Sequence, residues 1–108
     1  MKAGTITLGE GGVLLVEDGE CQCEVAGEDL RALLSAFRTV PLTRIHPGGG
    51  VSIEGHASLS PRGSSVRIHV RSDYGELRAF FVHIESFLRV VRGEAVSAPL
   101  FPVDGEGD

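Results

Sequence analysis

The stretch from Ser65 to Arg92 changes its hydrophobic period once, and that change constrains the fold more than any other feature of the chain. Val66, Ile68 and Val70 alternate with Arg67, His69 and Arg71, the period of a half-buried strand. Ser72-Asp73-Tyr74-Gly75 supplies turn residues, and a second alternating run follows from Leu77 to Val82. Pairing Arg71 with Glu76 sets Val66, Ile68 and Val70 against Phe81, Ala79 and Leu77, so that two apolar faces coincide. Arg67, His69, Arg71, Arg78, Phe80 and Val82 then lie on the outer face. After His83 the spacing becomes helical: Ile84, Phe87, Leu88 and Val91 form one stripe. Arg89 and Arg92 suit the C-terminal end of that helix, and Gly93 suits its cap.

The first half carries the same pattern. Val13–Glu17 and Glu20–Val25 flank Asp18-Gly19, a strong hairpin signal. This register puts Leu14, Val16, Cys21 and Cys23 inward and Val13 and Leu15 outward. Gly27-Glu28-Asp29 opens a helix, Leu30, Leu33, Leu34 and Phe37 form its stripe, and Pro41 ends it. Thr43–Gly50 reads as a connector ending in the flexible His46-Pro47-Gly48-Gly49-Gly50. Val51–Ser60 alternates as a long strand with Val51, Ile53, Gly55, Ala57 and Leu59 on one face. Thr5–Leu8 makes a short first strand.

These elements predict an α+β domain: a curved, mostly antiparallel sheet of about six strands with two helices on one face. A hairpin–helix unit occurs twice. The domain spans residues 1–93, with pseudo-repeats at 5–40 and 51–93, and residues 94–108 form an acidic, Pro/Gly-rich C-terminal arm, partly disordered. Over residues 5–92, the element order, strands followed by a helix and repeated once, resembles the Whirly and Pur-type folds, which bind single-stranded nucleic acid. The resemblance lies in architecture alone, with three strands per repeat here against four there, and it implies no site residues.

Length and composition narrow the function. A chain of 108 residues forms one domain with one modest core. The net charge of -5 is unevenly spread: residues 1–40 hold 3 basic and 7 acidic groups, residues 41–92 hold 7 and 4, and residues 93–108 hold 4 acidic groups and no basic one. The middle segment alone attracts anions, and the overall acidity disfavours a general nucleic-acid binder. Cys21 and Cys23 are too close on one strand for easy disulfide geometry, which fits a reducing compartment. The N-terminal residues do not read as a signal peptide, and no apolar run approaches a membrane span. The expected location is cytoplasmic, away from any membrane.

Four candidate chemistries follow. Arg67, His69, Arg71, Arg78 and Phe80 on the outer sheet face resemble a single-strand platform, against the plainer reading of a solvated face with a Glu54–Arg71–Glu76 ion-pair row. Val13, Leu15, Phe80 and Val82, outward and apolar, suggest a partner surface, with a homodimer as the simplest partner. His56 and His69 face each other across two strands and offer two metal-ligating imidazoles, without a compact metal motif. Nucleophilic, acid–base and phosphate-cradling sites find little support: Ser64 and Ser65 sit in a hairpin turn, Arg71 between Glu54 and Glu76 makes an ion pair the simpler reading of those carboxylates, and Gly48-Gly49-Gly50 leads into a strand rather than a helix. The expectation is a non-catalytic binding module without a cofactor. It self-associates through the outer sheet face, or alternatively binds single-stranded nucleic acid there.

Overall fold

The computed structural model describes residues 3–17, 20–71 and 77–103, without the side chains of residues 20–22. Among them the chain forms β1 (Gly4–Leu8), β2 (Gly12–Glu17), β3 (Glu20–Ala26), α1 (Gly27–Ser35), β4 (Val40–Ile45), β5 (Val51–Leu59), β6 (Ser65–Arg71), β7 (Leu77–His83), α2 (Ile84–Val91) and β8 (Ser97–Pro102). The described strands make one closed antiparallel barrel in sequence order, with β8 returning to β1. This corrects the expected open sheet of six strands. The turns placed at Asp18-Gly19 and Ser72–Gly75, the partner Glu76 and the end at 104–108 lie outside the described residues.

Two strands lie outside the sequence expectation: β4, whose second half falls in the expected Thr43–Gly50 connector, and β8, which falls in the expected C-terminal arm. Both contain proline (Pro41; Pro99 and Pro102), which weakens a strand signal because proline donates nothing to a ladder. The structure accommodates them by pairing each mainly on one side. β4 joins β5 over six residue pairs but β3 only at Glu24↔Thr43. β8 joins β1 over four pairs but β7 only at Phe80↔Pro102 and Phe81↔Phe101. A helix intervenes at each short seam.

The order is therefore three strands, a helix and a strand, twice over. The two halves match in detail. The residues before the helices, Ala26 (φ -59, ψ 142) and His83 (φ -60, ψ 140), share one backbone conformation. The first helical N–H of each helix donates to the corresponding turn, β1–β2 or β5–β6: Gly27 to the Gly11 carbonyl at 2.8 Å and Ile84 to the Ser64 carbonyl at 3.0 Å. Both helices thus sit at the same end of the barrel. Their buried residues Leu33, Phe87 and Val90 join one core with the barrel interior.

An eight-stranded barrel has an interior just wide enough for side chains to fill. Ile6, Val13, Leu15, Val25, Leu42, Val66, Ile68, Val70, Phe80, Val82 and Leu100 fill it. Cys23, a reduced thiol, belongs to the same cluster. The α2 stripe is close to its prediction, and Gly93 closes the helix at φ 75, with Glu94 N–H donating to the Arg89 carbonyl at 2.8 Å. The α1 stripe is shorter than predicted: the helix ends at Ser35, and Phe37 lies beyond it, 60% exposed.

Register decides which faces point inward. In the β6–β7 hairpin Arg71 pairs with Leu77, one residue later than expected. Side chains alternate strictly along a strand, so this single step turns all of β7 over. Phe80 and Val82 go inside, and Phe81 goes outside. In β2 the run Val13-Leu14-Leu15-Val16 is apolar on both faces, so the period could not choose between them. The barrel buries Val13 and Leu15. A bulge shifts the register between Leu15↔Cys23 and Val16↔Cys21, and another lies between Leu42↔Gly55 and Thr43↔Ile53. The second bulge leaves Glu54 as the extra residue and moves Val51 and Ile53 to the outer face. Among the described residues no helix is long and apolar enough to cross a membrane.

Candidate functional site

The partner surface expected from Val13, Leu15, Phe80 and Val82 does not exist as drawn. All four are in the barrel interior, at 2%, 2%, 5% and 0% exposure. The reason is the register step and the two-faced apolar run described above.

Arg78, expected on an outer platform, follows Phe80 inward. Its Nη1 donates to Glu17 Oε2 at 2.5 Å, and its guanidinium lies 5.6 Å from the centroid of the Phe80 ring. Glu17 is on β2 and Arg78 on β7, so the pair reaches past β1 and β8, the two strands that close the barrel. Glu17 Oε1 and Arg78 Nε are also buried, with no partner among the described residues. A carboxylate held inside a barrel needs its cation, although Arg78 remains partly solvated. Glu17→Leu is therefore expected to lower stability by about 1–2 kcal/mol. The double change Glu17→Leu/Arg78→Leu should cost less than the sum of the two single changes in denaturant unfolding.

The other platform residues stay outside. His56 pairs with His69 in the expected register, and both are exposed. Among the described residues no group of three or more His, Cys, Asp or Glu side chains is placed to hold a metal ion. Glu54 does not complete the predicted row with Arg71. It accepts from the Ser52 hydroxyl at 2.7 Å, and Ser52 Oγ lies 2.7 Å from His46 Nε2. Since the one hydroxyl proton goes to Glu54, His46 Nε2 is the donor to Ser52. Ser60, Ser64 and Ser65 build the β5–β6 turn, with Ser60 Oγ accepting both the Ser64 and Ser65 N–H groups at 3.1 Å.

Two surfaces emerge that the sequence reading missed. The first is an aromatic cluster on the outer face. Phe81, His83 and Phe101 pack with centroids 5.5–5.8 Å apart. Register places them beside the basic strand β6, in a row Ser58, Arg67, Phe81, Phe101 that crosses four strands. The double-Phe step Phe80-Phe81 was the only trace in the sequence, since either ring could face outward.

The second is the far end of the β4–β5 hairpin. Ile45 pairs with Val51 and Thr43 with Ile53, so these four residues share one face. Ile45, Val51 and Ile53 are each 65% exposed. The opposite face carries Ser52 and its hydrogen bonds to His46 and Glu54. An open groove of about 350 Å³ lies beside this arm, lined among others by Leu14, Thr43, Ile45 and Pro47. The signal in the sequence was the symmetric placing of Thr43, Ile45, Val51 and Ile53 about the His46–Gly50 turn. No protein-family model, no curated protein and no solved structure matches the chain.

Proposed function

We propose that the protein is a non-catalytic interaction module that self-associates, and that the apolar face of the β4–β5 arm makes the contact. The observation that carries this reading is the 65% exposure of Ile45, Val51 and Ile53 side by side on one face. Three β-branched residues clustered in water form a patch that a lone protein tends to avoid. A β-branched ribbon face packs well against another sheet face. A second copy of the chain presents the same patch, and a two-fold axis makes the contact self-complementary. The adjoining groove adds Leu14 and Pro47 to the area available for burial.

Each chain carries a formal charge of -5, so two copies repel at long range. Apolar contact then strengthens as salt screens that repulsion. Light scattering is expected to give a mass of about twice the 11.4 kDa of the chain, undiminished at higher salt. Ile53→Asp should return the mass to that of one chain that stays folded, because Ile53 is 65% exposed and contributes little to the core, with a melting temperature lower only by what self-association supplied. A parent protein that stays monomeric at high concentration and moderate salt rules the reading out.

A further inference from the structure

The aromatic cluster points to a separate site, away from the arm. We propose that the outer face of β6, β7 and β8 binds single-stranded nucleic acid, with bases stacked on Phe81 and Phe101 and phosphates met by the basic side chains of β6.

The described outward residues of these strands include Arg67, His69, Arg71 and His83, and none is a carboxylate. On a chain of net charge -5 this face is an exception, and it favours an anion. The aromatics make the choice among anions. Phe81 and Phe101 lie with centroids 5.5 Å apart and planes tilted by 36°, and His83 extends the cluster with its ring edge-on to Phe81 at 83°. All three are at least partly exposed. A free phosphate, a polyphosphate or an acidic peptide has no use for such rings. A duplex hides its base faces in its own stack, whereas a single strand offers them.

Geometry agrees with a short footprint. Arg67, Phe81 and Phe101 stand in one row on adjacent strands, with Arg71 further along β6. Strand spacing of about 4.8 Å gives the row room for about two or three bases. Such a footprint predicts modest affinity at low salt and little preference among sequences.

The test is fluorescence anisotropy of a labelled oligothymidine titrated with the intact protein. If two or three phosphates are contacted, raising salt from about 50 to about 200 mM should weaken binding about tenfold. Phe101→Ala should weaken it by about fivefold or more. Arg71→Ala, at an exposed position, should weaken it and flatten the salt dependence. Ile53→Asp should leave it unchanged, which separates this site from the arm. Melting curves check that the variants remain folded, and Arg71→Ala tests the site even if Phe101→Ala does not fold. Several results would overturn the proposal: no binding at low salt, equal binding of a duplex, equally effective competition by inorganic polyphosphate, or a folded Phe101→Ala that binds as well as the parent.

Discussion

Replacing Phe87 with alanine is expected to cost about 3–5 kcal/mol and to lower the melting temperature by about 15–25 °C. Phe87 is fully buried, on the short helix α2, in the core that joins both helices to the barrel. Removing its ring leaves a cavity among strands that are hydrogen-bonded around a closed circuit and cannot collapse inward freely. A domain of this size has about 5–15 kcal/mol in total, so the variant keeps a narrow margin. Phe37→Ala provides the contrast. The hydrophobic spacing assigns Phe37 to the stripe of α1 just as it assigns Phe87 to that of α2. Phe37 nevertheless lies beyond the end of its helix, 60% exposed, and should cost less than about 1 kcal/mol. Urea unfolding of the two variants settles it. Equal losses would mean that the helices do not pack as described.

Gly55→Ala carries the second large effect. A Cβ at Gly55 would stand 1.9 Å from the His69 carbonyl oxygen and 2.9 Å from its carbon. Both atoms belong to the backbone of the neighbouring strand, so no rotamer change relieves the overlap. The chain has to open the β5–β6 ladder at Gly55↔Val70, beside the bulge at Glu54 where β5 leaves the barrel and becomes the arm. The expected loss is about 3 kcal/mol or more. Gly48→Ala, in the turn at the tip of the same hairpin, meets nothing within 4 Å and should stay within about 0.5 kcal/mol of the parent. Thermal melts of the pair distinguish a backbone contact from a general intolerance of glycine-to-alanine changes in the β4–β5 hairpin.

Much of the architecture was legible in residue order. The alternation of Val66, Ile68 and Val70, the stripe ending in Val91 and the recurrence of strands and a helix in both halves all follow from local periodicity. His56 and His69 face each other across β5 and β6 as expected. Missing were the two proline-bearing strands, because proline weakens the local signal while a neighbouring strand can still supply the hydrogen bonds. Without β4 and β8 the sheet could not be seen to close.

The candidate surfaces were less legible, for a different reason. Phe80-Phe81 and Val13-Leu14-Leu15-Val16 are apolar on both faces, so local chemistry leaves the two orientations nearly equal. The inward choice depends on one residue of turn length between Arg71 and Leu77 and on bulges in β3 and β5. Those details are settled when all eight described strands must share one interior. The sequence by itself determined both helices, the strands without proline and which part of the chain holds the positive charge, since these depend on neighbours a few residues away. Only the tertiary structure decided that Glu17 and Arg78 meet inside, that Phe81, His83 and Phe101 gather outside, and that Ile45, Val51 and Ile53 stand in water. Ring closure couples the register of every strand to that of every other, and no local period contains that condition.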